Sequence, residues 1–316
     1  MRRTLLRLRP YAIAAAVGTI LLVDLSNQWE VPIAQLPSEL HDRYVNRLRA
    51  DAGQAELLAL AEAGNAQAQY IYALRHTKYA PRNLQWKADP AVAFKWTSRA
   101  AEGHHSRAMA VLGLYYLRGI GCDKDITKAK EWAGRAADKG QPMGYRVLGD
   151  VAKAEAEALK PAKDKAADQQ LLEKREALLK EAYLQYQRGA NAGDRNCLRA
   201  LAEGYEEGLP DMPRNYRLAL DYYTRSALRR DIESIKVLAE RYESGFRTPR
   251  DLTQAYAWRL VLIELEDGDK DRTALEGLET SMNLAEVLAG QELALKLIKD
   301  LPSEAADALA RLNTSR

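Results

Sequence analysis

Between Gly103 and Gly140 the apolar residues fall into two helical stripes separated by a glycine break. Ala108, Val111, Leu112, Tyr115 and Tyr116 follow the i, i+3, i+4 spacing of one amphipathic face, which predicts a first helix, A, beginning at Arg107. Gly119-Ile120-Gly121 then breaks the helix, because glycine reaches positive φ at little steric cost and commonly follows a helix end. Ala129, Trp132, Ala133, Ala136 and Ala137 form the stripe of a second helix, B, with Asp125 or Thr127 placed to cap its start. One such pair cannot bury both stripes by itself, so its stability depends on stacking against a copy.

Copies are present. The phrase Trp96-Thr97-Ser98-Arg99-Ala100-Ala101 returns 36 residues later as Trp132-Ala133-Gly134-Arg135-Ala136-Ala137. It recurs in drifted form as Tyr222-Tyr223-Thr224-Arg225-Ser226-Ala227, and Trp258 stands 36 residues beyond Tyr222. A period of this length marks a solenoid of helix pairs. The repeats read as 64–103, 103–140, 140–193, 193–230 and 231–267; the first has a turn enlarged by residues 79–86, and the third is longer than its neighbours.

Leu112, Gly113, Tyr116, Gly119, Gly121, Asp125, Lys128, Ala129, Trp132, Ala136, Ala137 and Gly140 together resemble the Sel1-like repeats, alanine- and glycine-rich relatives of the tetratricopeptide repeats. The resemblance covers residues 55–267. It implies an all-α fold, a right-handed α/α superhelical solenoid of about five TPR-like helix pairs with helical caps. It also implies a non-enzymatic protein-interaction scaffold or adaptor in the bacterial cell envelope, serving the regulation or assembly of an envelope, secretion or exopolysaccharide complex. Cysteine-rich members of the family are associated with binding or hydrolysing β-lactams, but they carry a disulfide in each repeat. This chain has two cysteines in all.

The N-terminus is a separate object. Arg2, Arg3, Arg7 and Arg9 precede an apolar run from Tyr11 to Val23, and no acid appears before Asp24, which reads as an export or anchoring signal. No small-x-small site follows Val23, so the expectation is an uncleaved anchor, residues 1–23, in the bacterial inner membrane with the repeats in the periplasm. A cleaved signal giving a soluble periplasmic protein, a twin-arginine export signal and a cytoplasmic membrane-tethered adaptor are the alternatives. Residues 24–37, with Pro32 and Pro37, read as a linker. Residues 38–63 and 268–316 read as capping helices, with Asn283 and Ser303 as helix caps.

Charge narrows the partner class. The chain carries 47 basic and 44 acidic residues, and without the four N-terminal arginines its formal charge falls from +3 to −1. A near-neutral body lacks the concentrated basic face that nucleic-acid binding requires, so proteins are the expected partners.

Candidate contacts for such a partner are Tyr79 and Trp86 in the enlarged first turn, and Tyr115 and Tyr223, which sit beside core aromatics and are expected to reach the concave face. The long hairpin of the third repeat, Val147 to Lys160 and Asp164 to Gly189, is a further candidate. Trp96, Trp132, Tyr222 and Trp258 keep a fixed phase in helix B and are expected to pack between repeats. His104 and His105 read as exposed residues without metal-ligand partners. Asp267 to Asp271 starts like a calcium loop, but Arg272 occupies the glycine position and Leu278 the glutamate position. Cys122 and Cys197 read as unpaired, and no catalytic residue, cofactor or metal is expected.

Overall fold

The computed structural model describes residues 11–16, 19–24, 54–77, 87–159, 165–209, 211–266 and 269–302. The chain divides into two compact units, residues 1–72 and 73–316.

In the first unit the apolar N-terminal run corrects the expectation of an anchor. Tyr11–Ala16 (β1) and Thr19–Asp24 (β2) pair antiparallel, with Tyr11 opposite Asp24 and Ala16 opposite Thr19. Among the described residues no helix is long and apolar enough to cross a membrane. The single N-terminal membrane anchor, with the membrane attachment and topology built on it, therefore does not stand. The run is short for a bilayer, and pairing two strands lets the backbone groups that face each other form hydrogen bonds. The same unit contains α1 (Gln54–Glu62), which belongs to the expected N-terminal caps. Most of the linker and the expected helix from Ser38 to Arg49 lie outside the described residues. Asn65 Oδ1 accepts the Ala68 N–H at 2.7 Å to start α2 (Ala66–Arg75). Gln69 Nε2 donates to the Ala61 carbonyl at 3.0 Å and so ties α2 to α1.

The second unit is a run of helices in which each, as far as α12, packs on the one before it. In chain order they are α3 (Pro90–Glu102), α4 (Ser106–Arg118), α5 (Ile126–Asp138), α6 (Pro142–Ala158), α7 (Lys165–Asn191), α8 (Arg195–Glu207), α9 (Tyr216–Ala227), α10 (Ile232–Ser244), α11 (Leu252–Glu266), α12 (Asp269–Glu279) and α13 (Leu284–Asp300). Sequential neighbours pack from α3 to α12, α4 also meets α6, and α13 packs on α11. This is the stacking of an α/α solenoid, with A helices and B helices alternating.

One joint recurs where A turns into B. Asp125 donates its backbone N–H to the Tyr116 carbonyl at 2.9 Å, while its side chain accepts the Lys128 N–H at 2.9 Å and caps α5. Asn215 does the same with Tyr205 and Leu218, and Asp251 with Tyr242 and Gln254. One residue thus fixes the turn and starts the next helix, which is why an Asp or Asn recurs there.

Successive A helices are pinned by ion pairs to cap residues. Arg199 Nε lies 3.1 Å from Asp231 Oδ2, and Arg146 Nε lies 3.9 Å from Asp194 Oδ2. Asp194 and Asp231 each cap their own helix, so one carboxylate joins a helix start to the repeat before it. The core between layers is built mainly of alanine, with fully buried Ala93, Ala100, Ala129, Ala133, Ala219 and Ala255. Small side chains let the axes approach. Where α6 comes close to the backbone of α5 glycine is needed, since a Cβ on Gly144 would sit 2.5 Å from the Ala137 nitrogen.

Candidate protein-binding groove

The structure sorts the expected contact residues by burial. Tyr115 is 6% exposed and Tyr223 3%, so both rings are interior and neither reaches a surface. Their helices are covered on two sides, and the apolar stripe of a sandwiched helix is wide enough to include adjacent residues. Tyr223 donates from its hydroxyl to Glu206 at 3.4 Å, and burial, followed by the Glu206 charge, pushes the phenol above its usual range. The half-buried rings are those beside them, Tyr116 and Tyr222. Tyr79 and Trp86 lie outside the described residues.

The helix B aromatics carry a recurring cation–π contact. The guanidinium of Arg99 lies 4.8 Å from the Trp96 ring centre, Arg135 lies 4.7 Å from Trp132, and Arg225 lies 4.9 Å from Tyr222. Trp96 and Trp258 are buried, while Trp132 and Tyr222 are half-buried. The arginine three residues on covers the aromatic face left open between layers.

The histidine pair also differs from expectation. His104 is exposed with φ +64, but His105 is half-buried and caps α4, its Nδ1 accepting the Ala108 N–H at 3.0 Å. Burial, with the nearby Arg107 charge, pushes His105 down to about 4. Both cysteines are free; Cys197 is buried and Cys122 half-buried, and burial raises both thiols.

A groove of about 230 Å³ opens where α7 and α8 meet the turn at residues 208–212. Tyr183 of α7 lines one side, with Leu201, Tyr205 and Tyr222 beside it, and the rings of the last two stack 5.6 Å apart at 11°. Leu209 and Met212 form the opposite wall. They exchange backbone hydrogen bonds of 2.9 and 3.0 Å, which hold the turn tight. Leu184 stands at the edge 44% exposed, and Lys180 Nζ bridges to Asp211 Oδ2 at 3.0 Å across the rim. A cleft that combines leucine, methionine and tyrosine side chains with Lys180, Gln187 and Asp211 can take the apolar part of a partner's side chain. Among the described residues no cluster of His, Cys, Asp and Glu is placed to hold a metal ion.

One pointer to this place was legible in the sequence, the excess length of the third repeat. α7 runs 27 residues where α5 runs 13, and its Leu179, Lys180, Tyr183 and Leu184 line the groove. The opposite wall had no such signal, because Leu209 and Met212 meet α7 only in the tertiary structure.

The profile of the Sel1 repeat family matches residues 66–105, 106–141, 196–231 and 233–258. The chain carries four Sel1 repeats. The matched repeats pass over residues 142–195, a stretch that holds α6 and α7, and α7 lines one side of the groove. The fold is similar to that of a Sel1 repeat protein from Oxalobacter formigenes, at TM-score 0.53 and 20% identity over 78% of this chain and 67% of that one. A protective antigen of uropathogenic Escherichia coli strains with an SLR fold aligns at TM-score 0.38 and 19% identity, over 83% of this chain and 59% of that one. A Sel1 repeat protein from Klebsiella pneumoniae subsp. pneumoniae aligns at TM-score 0.39 and 20% identity, over 72% of this chain and 100% of that one. No curated protein matches the chain. At 20% identity the likeness to the Oxalobacter formigenes protein shows the fold alone.

Proposed function

We propose that this Sel1 repeat chain is a non-enzymatic scaffold and that the groove between α7, α8 and the 208–212 turn receives an apolar side chain of a partner protein. Sel1 repeat proteins generally mediate protein–protein interaction. The observation that carries the site is the exposed Leu184 of α7, a helix that the matched repeats pass over, lining the same groove as the stacked Tyr205 and Tyr222 of the next repeat. Exposed apolar groups around a cleft, with aromatic walls already rigid, are the composition of an interface anchor point. The regulation or assembly of an envelope, secretion or exopolysaccharide complex is the setting that the Sel1 resemblance suggests for such a partner.

A photo-crosslinking residue at Leu184, in tagged full-length protein in intact cells, tests the site. The expected outcome is a discrete crosslinked partner from position 184 that is absent from exposed Lys130 and lost when Tyr222→Ala is added. Equal yields from the two positions would reject the groove. The β-lactam reading is tested with nitrocefin, which the protein is expected to leave intact, since its two cysteines are free and not paired within each repeat.

A further inference from the structure

The turn from α10 to α11 departs from its counterparts in a way the repeat does not require. Counting from the clamped tyrosines Tyr116 and Tyr242, Ile120 corresponds to Phe246 and Gly121 to Arg247. Ile120 is half-buried, whereas Phe246 is 58% exposed. Gly121 has φ +71 and no room for a side chain, as a Cβ would lie 2.1 Å from the Pro90 carbonyl of the preceding repeat. Arg247 keeps the same left-handed backbone at φ +61, unusual for a long side chain. Its guanidinium lies 5.1 Å from the ring of Tyr216, the residue equivalent to Pro90, and 4.6 Å from that of Phe246.

Arg247 is held in place but not neutralised. Its Nη1 lies 3.2 Å from Glu206 Oε2, yet Glu206 is buried and already paired with Arg241. One carboxylate therefore serves two guanidinium groups. The two glycines that end α8 and α10 are each crossed by another arginine. Arg214 Nη2 donates to the Glu207 carbonyl at 3.0 Å over Gly208, and Arg250 Nε donates to the Glu243 carbonyl at 3.0 Å over Gly245. Of the nearby acids, Asp211 pairs with Lys180, Glu243 pairs with Arg259 and Asp251 caps α11, while Glu207 and Glu240 are exposed. Arginines fixed by rings and carbonyls have already lost much of their rotamer freedom, so they accept carboxylates at a lower entropic cost.

We propose that the Phe246–Arg247 turn, with Arg214 and Arg250, is a second docking surface that takes an acidic peptide segment bearing an apolar residue. The apolar residue packs on Phe246 and the carboxylates face the three guanidinium groups. This surface does not depend on the α7–α8 groove. Charge complementarity at arginines supplies specificity and orientation, and the ring supplies the anchor.

The test is fluorescence anisotropy of full-length protein with a labelled peptide Glu-Asp-Glu-Leu-Phe-Glu-Asp-Glu. The controls are the same peptide with lysines for its acids and a labelled single-stranded oligonucleotide. Binding of the acidic peptide is expected, weakened by added salt and by at least about tenfold in Phe246→Ser, with Leu184→Asp unchanged. Phe246 is exposed, so this variant keeps the fold, and its unchanged melting temperature verifies that. Arg247→Gln is expected to weaken binding as well. No binding, equal binding of the lysine peptide, preferential binding of the oligonucleotide, or full affinity in Phe246→Ser would overturn the proposal. Loss in Leu184→Asp with retention in Phe246→Ser would move the peptide to the groove and overturn this surface alone.

Discussion

The backbone N–H of Asn215 donates to the carbonyl of Tyr205 at 2.8 Å, and the same residue's side chain accepts the Leu218 N–H at 3.0 Å. One residue thereby closes the turn between α8 and α9 and satisfies an orphan donor of the second helix. Asn215→Ala keeps the first bond and loses the second, so it is expected to destabilise the protein by about 1 kcal/mol. Asn215→Asp, which restores an acceptor, is expected to recover most of that loss. Urea denaturation of the three proteins measures it.

Two glycines in one repeat should respond to alanine in opposite directions. Gly121 combines positive φ with a backbone oxygen 2.1 Å from where a Cβ would be, whereas Gly134, inside α5, has nothing within 4 Å of that position. Gly121→Ala is expected to cost about 2 kcal/mol or more, and Gly134→Ala to stabilise by about 0.5–1 kcal/mol. Thermal melts that moved the same way for both variants would contradict this contact.

His105 should give stability a pH dependence of known sign. Its neutral Nδ1 caps α4, and burial lowers its pKa from 6.5 to about 4. Between those values the unfolded chain binds a proton that the folded chain does not, so the contribution is present above pH 6.5 and is lost as pH falls towards 4. His105→Asn keeps a cap without the titration. The difference in unfolding free energy between wild type and His105→Asn is expected to shift against wild type across that window. A flat difference would remove His105 from this role.

The two thiols are expected to be inert in the folded protein. Cys197 is buried, its thiol pushed up by burial and then by the Asp194 charge, and Cys122 is raised by burial and then by Asp123. Labelling with a thiol reagent near neutral pH is expected to be slow until denaturant is added, after which both react. Rapid labelling of Cys197 in the native state would show that α8 opens readily.

The correspondence between sequence and structure differs from residue to residue, for identifiable reasons. Asp125 was readable as a cap because its partner, the Lys128 N–H, is three residues away. Asn283 was readable for the same reason, and its capping box with Glu286 is present. Tyr115 and Tyr223 were read as surface rings because each adjoins a core aromatic and adjacent helical residues point in different directions, whereas helices sandwiched in a stack bury more than one direction. The groove was half legible. The length of α7 marked one wall, but the stacking of Tyr205 on Tyr222 and the approach of the 208–212 turn join residues from separate elements.

The sequence by itself determined the repeat, the helix pairs and the residues that start and stop them, because these depend on bonds and contacts within a few residues along the chain. Tertiary structure decided the rest. It decided that the apolar run after Arg9 pairs as two strands, that Tyr222 and not Tyr223 borders a cleft, and that Phe246 is exposed where Ile120 is covered. Each of these depends on the neighbouring strand or layer and how near it lies, and that distance is set by the packed side chains of both.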